Sequence, residues 1–218
     1  KAHKLESELL LTHQGVVPST HVSRAAGIPH DWNAEQGCFQ PKTDQWGHSQ
    51  LPGLYVAGDG AGISGANAAT IAGRLAAWDI LYQLGRINSN TRNRQSAADR
   101  RSLRRAMAIR PFLDTTYSTP REFLSPPDET IVCRCEEITA RELRAASGEG
   151  ASGHRQIKTA TRAGMGHCQG RMCDLTVRGV LSACNPSRPI EAPRARNPIK
   201  PIPLGELAAL APEPEIKS

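Results

Sequence analysis

Apolar residues at helical spacing predict one long helix in the first half of the chain. It covers about residues 65–84, and one face carries Ala68, Ile71, Ala72, Leu75, Trp78 and Leu81. Two shorter apolar runs, at 9–11 and 54–57, have the length of strands. Between them, the aromatic residues of the segment 31–50 lie among polar ones and predict a short hairpin with its turn at 43–47.

Further helices are predicted in the second half. Residues 86–110 contain eight arginines and one acid, with apolar positions spaced for an amphipathic helix that Pro111 would end. Prolines up to residue 127 then indicate a linker. Thr139 and Glu142 form a capping box that starts a helix reaching about residue 146. Two more helices are expected, at about 156–162 with Gly164 as its left-handed cap, and from Cys173 to about 183.

The end of the chain has a different composition. Eight prolines follow Asn185, and such a density predicts an extended tail rather than a packed core.

Four cysteines carry the most specific chemical signal. They form a C-x-C pair, Cys133 and Cys135, and a C-x4-C pair, Cys168 and Cys173. Four thiolates at short spacings suit zinc or an iron–sulfur cluster, and C-x-C is uncommon in structural zinc sites. Nearby glycines would let backbone N–H groups approach the sulfurs, and nearby cations would balance an anionic cluster. The glycines are Gly164, Gly166 and Gly170, and the cations are Arg134, Lys158, Arg162 and Arg171.

A [2Fe–2S] cluster is the interpretation we favour for these thiols. The alternatives are a structural zinc site, unligated thiols, or disulfides, of which a C-x-C bridge would be strained. The other two cysteines, Cys38 and Cys184, are expected to be bystanders.

A glycine-rich turn gives the second signal. Gly58, Asp59 and Gly60 follow the predicted strand at 54–57 and precede the long helix. A strand–turn–helix unit of this kind presents free backbone N–H groups, where a phosphate is favoured. A tight packing turn is the alternative interpretation. Residues 60–65 have the spacing G-x-G-x-x-G, but the preceding Asp59 and the position after a predicted hairpin differ from the fingerprint that opens a dinucleotide-binding half.

Composition excludes some classes of function. The formal net charge of +6 comes mostly from arginines, but no nucleic-acid-binding motif or aromatic platform accompanies them. No apolar run approaches the roughly 20 residues that span a bilayer. The first residues lack the apolar core of a signal peptide, so reduced thiols in the cytoplasm are expected.

The cysteine segments, 133–139 and 158–173, resemble the bacterioferritin-associated-ferredoxin-like (BFD-like) [2Fe–2S] module. More narrowly, the chain resembles the FAD-binding alpha (or A) subunits of multi-subunit amino-acid and opine dehydrogenases. That group includes octopine and nopaline oxidases, hydrogen cyanide synthase and dye-linked proline or hydroxyproline dehydrogenases. The run Gly-Leu-Tyr-Val-Ala-Gly-Asp at 53–59 resembles the second FAD motif of two-dinucleotide-domain flavoproteins. The resemblance covers about residues 9–204.

The resemblance implies an α+β chain that forms the C-terminal portion of such a subunit. Residues 1–86 would be the C-terminal part of an FAD-binding domain, 87–127 a basic helix and linker, 128–185 a mainly helical BFD-like domain, and 186–218 an extended proline-rich tail. A [2Fe–2S] cluster would be held by Cys133, Cys135, Cys168 and Cys173. FAD would be contacted by Gly58, Asp59, Gly60, Ala61 and Asn67, in a site that this chain only partly supplies.

The function implied is electron transfer in a hetero-oligomer. A catalytic flavoprotein partner would oxidise the C–N bond of an amino acid, amine or opine, and this chain would contribute no catalytic residue. His154 and His167 would lie near the cluster without catalysing, and Thr20 and His21 would either cap a loop or contact a cofactor. The alternatives are a hydrogen cyanide synthase subunit, which converts glycine to HCN, and a zinc-binding interaction module on a degenerate flavoprotein.

Overall fold

The computed structural model describes residues 6–11 and 15–210 and combines ten helices with four short strands. The strands are β1 His30–Asn33, β2 Cys38–Pro41, β3 Ile131–Cys133 and β4 Ile138–Thr139. The helices are α1 His21–Ala25, α2 Ala66–Gln83, α3 Ser89–Gln95, α4 Ala97–Met107, α5 Arg110–Thr116, α6 Arg121–Leu124, α7 Ala140–Gly148, α8 His154–Thr161, α9 Asp174–Cys184 and α10 Leu204–Ala208. This mixed content agrees with the predicted α+β class.

Two antiparallel hairpins are the whole of the sheet structure in the described ranges. β1 pairs with β2, and β3 pairs with β4. The first hairpin was expected, but its turn lies at 34–37 and not at 43–47. Residues 43–47 form a separate turn instead, because an Asp44 carboxylate oxygen accepts the backbone N–H groups of Trp46 (2.8 Å) and His48 (3.0 Å).

The two predicted apolar strands are wrong as far as the structure describes them. Residues 9–11 are exposed and have no regular structure, and 12–14 lie outside the described residues. In the run 54–57, Tyr55 makes only one isolated bridge, to His48, on whose ring it stacks at 4.5 Å between centroids. The backbone of Leu54 and Val56 bonds to Ser49 and Gly47, but these contacts do not extend into a regular ladder.

The long amphipathic helix is confirmed as α2. Its buried residues Ile71 and Leu75 pack with Trp46 in a small core, against which Leu103 of α4 also lies. Arg74 of α2 and Asp99 of α4 form an ion pair at 2.6 Å on the surface beside this contact. The helical period of the apolar residues therefore located the buried face as far as Leu75, whereas Leu81 at its end is exposed.

The basic segment is three helices rather than one. Asn88 caps α3 by accepting the Thr91 N–H at 2.9 Å, and the fully buried Ser96 separates α3 from α4. The prediction that Pro111 ends a helix is wrong. It occupies the first turn of α5, where a missing N–H costs no hydrogen bond.

The second core lies between α7, α8 and α9. Leu143, Ile157, Val180 and Leu181 have no exposed surface there. The predicted capping box at Thr139 is present and starts α7. The helices α8 and α9 also occur close to their expected bounds.

Two details of this region differ from expectation. The left-handed residue at the end of α8 is Arg162, at φ +65°, although Gly164 is left-handed as well, at φ +81°. In the predicted linker, α6 packs so closely on α9 that a Cβ at Gly179 would collide with the carbonyl oxygen of Leu124.

The proline-rich segment packs against the rest of the chain more than its composition predicts. Ile190 is 4% exposed and belongs to the second core. The carbonyl oxygen of Pro193 accepts a hydrogen bond from Arg24 at 2.8 Å, and that of Ile199 accepts one from Arg171. Within the part that the structure describes, no helix is both long and apolar enough to cross a membrane.

A buried carboxylate ties α2 to its surroundings. Asp79 is 1% exposed, accepts the Tyr55 hydroxyl at 2.6 Å and pairs with Arg92 at 2.5 Å. The Arg92 guanidinium in turn lies 4.5 Å from the ring centroid of Trp46 and 4.4 Å from that of Tyr82. Removing one member of such a pair leaves the other charge buried without compensation.

We therefore expect Asp79→Ala to lower the free energy of unfolding by about 3 kcal/mol. Asp31→Ala is the matched control, because Asp31 pairs with Lys42 on the exposed surface and such pairs contribute below about 1 kcal/mol. Urea unfolding followed by tryptophan fluorescence measures both. Equal losses in the two variants would contradict this account of Asp79.

Candidate metal centre and cofactor sites

Four free thiols converge at one edge of the second core. Cys133 ends β3 and Cys135 follows in the turn to β4, whereas Cys168 lies between α8 and α9 and Cys173 directly precedes α9. Cys133 and Cys173 are each 1% exposed, and the other two are half-buried. The β3–β4 turn and the α8–α9 loop therefore each contribute one buried thiol and one half-buried thiol.

The thiols of the two loops are electrostatic neighbours. Cys168 and Cys133 raise the pKa of Cys135, and Cys133 and Cys168 raise that of Cys173. Among the described residues, no group of three or more histidine, cysteine or acidic side chains is arranged around a single metal position.

Backbone N–H groups point at the sulfurs. Gly164 donates its N–H to Cys133 Sγ at 3.4 Å. Burial raises the pKa of the Cys168 thiol, but hydrogen bonds to its sulfur outweigh burial and leave the pKa lowered. The donors are the N–H of Met172, the Cys135 thiol and the N–H groups of Gly170 and Arg171. Such donors stabilise a thiolate and tune the potential of a cluster.

The other thiols have different environments. Burial, followed by the negative charge of Cys133, raises the pKa of Cys173. At Cys135 the backbone hydrogen bond from Cys168 lowers the pKa, but the Cys168 side chain and burial raise it more, so the net shift is upward. Cationic compensation is therefore needed before all four thiols can be anionic together.

The loops hold strained backbone. The only left-handed residues other than glycine in the described ranges are Glu137, Arg162 and Gln169, at φ +56°, +65° and +52°. All three flank the cysteines. A Cβ at Gly166 would collide with the Cβ of Cys135. Non-glycine residues adopt the left-handed conformation only where surrounding contacts compensate its energetic cost, and such residues concentrate at functional sites.

The predicted cations are near the loops, but each has a particular role. Arg162 pairs with Glu136 at 2.8 Å, and Arg171 donates to the Cys168 carbonyl oxygen at 3.2 Å. A cavity of about 870 Å³ adjoins the α8–α9 loop. Its cationic lining residues are Arg155, Lys158, Arg162, Arg188, Arg194 and Arg196. This side of the thiol group is therefore electropositive.

The two histidines near the thiols are not placed as acids or bases. His167 Nε2 lies 3.9 Å from Cys135 Sγ. His154 lines the cavity, and burial, with help from Arg24 and Arg178, lowers its pKa to about 4. Its imidazole is neutral at physiological pH.

The glycine-rich turn is a 3₁₀ turn over Gly58–Ala61 that leads into α2. Gly58 and Ala61 line a cavity of about 510 Å³. Asp59 is exposed beside it, and its carboxylate accepts only a long hydrogen bond from the Ser64 N–H at 3.4 Å. Gly60 lies in the same turn, and Asn67 is exposed in the first turn of α2. The α2 N-terminus has no side-chain cap, so its N–H groups are available to an anion.

One contact region could not be found from sequence. Arg24 of α1 pairs with Asp174, beside Cys173, at 3.0 Å. His21 Nε2 lies 3.2 Å from the carbonyl oxygen of Gln169, beside Cys168. The sequence pattern carries no signal for either contact, since 148 and 150 residues separate the partners.

These four thiols on two neighbouring loops form a candidate cysteine site. Residues 131–183 match the BFD-like [2Fe-2S] binding domain family. The chain is 46% identical over 211 residues to the A subunit of opine oxidase from Agrobacterium tumefaciens, a match covering 94% of this chain and 42% of that protein. It is 33% identical to the HcnB subunit of hydrogen cyanide synthase from Pseudomonas aeruginosa, covering 97% of this chain and 46% of that protein.

A solved structure shares the fold. L-proline dehydrogenase from P. horikoshii superposes with a TM-score of 0.69 at 23% identity, over 88% of this chain and 37% of that one. The chain is thus a relative of HcnB and of the opine oxidase A subunits that contains a BFD-like [2Fe-2S] binding domain, as the resemblance predicted. It spans less than half the length of these relatives.

Close packing at Gly166 gives a test of the loop geometry. We expect Gly166→Ala to lower the free energy of unfolding by about 1–3 kcal/mol, because the new methyl group meets Cys135. Gly148→Ala is the matched control, since a Cβ there has open space within 4 Å. Thermal and urea unfolding of the two variants measure the difference. A Gly166 variant as stable as the control would show that the loops are not packed in this way.

Proposed function

We propose that this chain is the electron-transfer portion of a larger oxidoreductase subunit that carries FAD and a [2Fe–2S] cluster. The observation that carries the proposal is the placement of four free thiols on two neighbouring loops, with the Gly164 N–H donating to Cys133 Sγ. The proposed ligands are Cys133, Cys135, Cys168 and Cys173. A [2Fe–2S] centre bound there would accept and release one electron at a time.

The residues around the thiols fit an anionic centre. An all-thiolate [2Fe–2S] cluster is negatively charged, and the N–H groups of Gly164, Gly170 and Met172 would offset part of that charge without reorganising. The electropositive cavity beside the loop would offset more. The chain would carry electrons between centres, and the substrate would be oxidised on the partner subunit.

The glycine-rich turn would supply part of an FAD site. Asp59, exposed and weakly bonded, would accept hydrogen bonds from the flavin's ribityl–pyrophosphate region, and the uncapped start of α2 would face its phosphates. Gly58, Gly60 and Ala61 would allow the close approach, with Asn67 beside them. The remainder of the site would come from an N-terminal FAD/NAD-type portion of the whole protein.

The domain limits belong to the same proposal. The FAD-binding part would end near residue 86 and the cluster domain would span 128–185, with the segment between them and the tail after 186 packed on both. The whole protein would work in the cytoplasm with a catalytic flavoprotein partner, which would oxidise the C–N bond of an amino acid, amine or opine. The 46% identity to an opine oxidase component supports this class of donor.

A narrower alternative comes from the second relative. The 33% identity to HcnB supports a role in a complex whose substrate is glycine. The co-purified complex, assayed for dye reduction with octopine, nopaline, proline and glycine in parallel, distinguishes the two. A response to glycine alone, with release of HCN, would favour the alternative.

Substitution of the thiols tests the cluster directly. Each of Cys133→Ser, Cys135→Ser, Cys168→Ser and Cys173→Ser should reduce iron and acid-labile sulfide well below two atoms of each per chain, because serine oxygen is a poor ligand for these soft sites. Cys184→Ser and Cys38→Ser are the matched controls. Cys184 is exposed at the end of α9, and Cys38 is a buried thiol whose pKa burial raises to about 11.

The proposal requires the four ligand variants to contain less iron and sulfide than the two control variants. Full iron and sulfide in any of the four ligand variants would contradict the ligand assignment. Zinc in place of iron in the unmodified protein would replace electron transfer by a structural role.

A further inference from the structure

The short helix α1 lies between the two proposed cofactor sites. On one side, the carbonyl oxygen of Ser19 is 3.8 Å from the position that a Cβ of Gly60 would occupy. On the other, His21 and Arg24 reach the loop that carries Cys168 and Cys173. Six residues of chain, 19–24, therefore contact both the glycine-rich turn and the cluster loop.

Two contacts hold the cluster loop, one directly after each of its two cysteines. The His21 ring nitrogen meets the backbone of Gln169, directly after Cys168, and the Arg24 guanidinium pairs with Asp174, directly after Cys173. Gln169 is also one of the left-handed residues, at φ +52°. Both ends of the C-x4-C segment are thus held from outside its own domain.

Arg24 is the stronger of the two contacts. Its side chain is 7% exposed and that of Asp174 is 19% exposed, so the ion pair is little screened by solvent. The second guanidinium nitrogen donates to the Pro193 carbonyl oxygen at 2.8 Å. One planar guanidinium therefore joins α1, the start of α9 and the proline-rich segment through two nitrogens in a fixed fork, which a lysine ammonium does not reproduce.

α1 is itself fixed to the hairpin. The Ser23 hydroxyl lies 3.0 Å from the Thr20 carbonyl oxygen, to which it donates, and 2.9 Å from His30 Nε2 of β1. A second contact joins the same hairpin to α9, because the Arg178 guanidinium lies 3.3 Å from the ring centroid of Trp32. These contacts attach both α1 and α9 to the same hairpin.

We propose that α1 is a positioning element, through which His21 and Arg24 hold the cluster loop at a fixed distance and orientation from the glycine-rich turn. This rests on the proposed function, in which the two places carry a [2Fe–2S] cluster and FAD. His21 and Arg24 are positioning residues and touch neither set of proposed ligands. Electron transfer between two centres depends steeply on their separation, so a loop released by even about 1 Å would slow it.

The test uses the full-length protein in complex with its partner, reduced by photogenerated deazaflavin radical. Absorbance records the rate at which the cluster and flavin equilibrate, and EPR of the reduced cluster records its g-values and line width. Arg24→Gln should keep the iron and sulfide content but slow equilibration by about tenfold or more, and should broaden the EPR signal. Arg24→Lys, which can keep the ion pair with Asp174, should recover much of the rate.

The matched control is Arg141→Gln, because Arg141 of α7 forms its ion pair with Glu129 on the exposed surface and does not line the electropositive cavity. It should leave both the rate and the EPR signal unchanged. If Arg24→Gln does not assemble a cluster, His21→Ala becomes the deciding variant, because it removes the weaker contact to Gln169 and keeps both partners of the Arg24–Asp174 ion pair. It should slow equilibration with its cluster content intact.

The outcomes separate the two proposals. A normal rate and signal in an assembled Arg24→Gln protein, or in His21→Ala where that variant decides, would overturn the positioning role. An unmodified protein without a [2Fe–2S] signal would overturn the proposed function instead.

Discussion

The structure depends on bringing four thiols together from two parts of the chain that are separated by more than thirty residues. The sulfurs cannot do this alone, since four partly buried thiolates repel one another. The core between α7, α8 and α9 fixes both loops, with Leu143, Ile157, Val180 and Leu181 fully buried at its centre. Helix packing therefore supplies the free energy that holds the ligands in place before any metal contributes.

The same constraint explains the unusual backbone around the loops. Short loops that aim both thiols and N–H groups at one point need φ values that extended or helical backbone cannot give. Glycine meets the need at Gly164 and Gly170, and Glu137, Arg162 and Gln169 adopt the left-handed region at some cost. External support at Gln169 and Asp174 from α1 fits a loop whose own conformation is strained.

The sequence was most informative where a local rule acts alone. The period of the apolar residues located α2, and the Thr139–Glu142 capping box located α7. It was less informative where tertiary contacts decide. The run at 54–57 lacked a neighbouring strand, Pro111 began a helix instead of ending one, and Ile190 found a place in the core despite its proline-rich surroundings. The ion pair of Arg24 with Asp174 has no sequence signal, because it depends on how distant segments pack.

The central claim is that the thiols hold a redox-active [2Fe–2S] centre. The most direct measurement is EPR on anaerobically prepared protein before and after dithionite, with iron and acid-labile sulfide determined on the same sample. The account predicts a silent oxidised form and, on reduction, an S = 1/2 signal that integrates to one spin per two irons. Stoichiometric zinc with no signal in either state would contradict it.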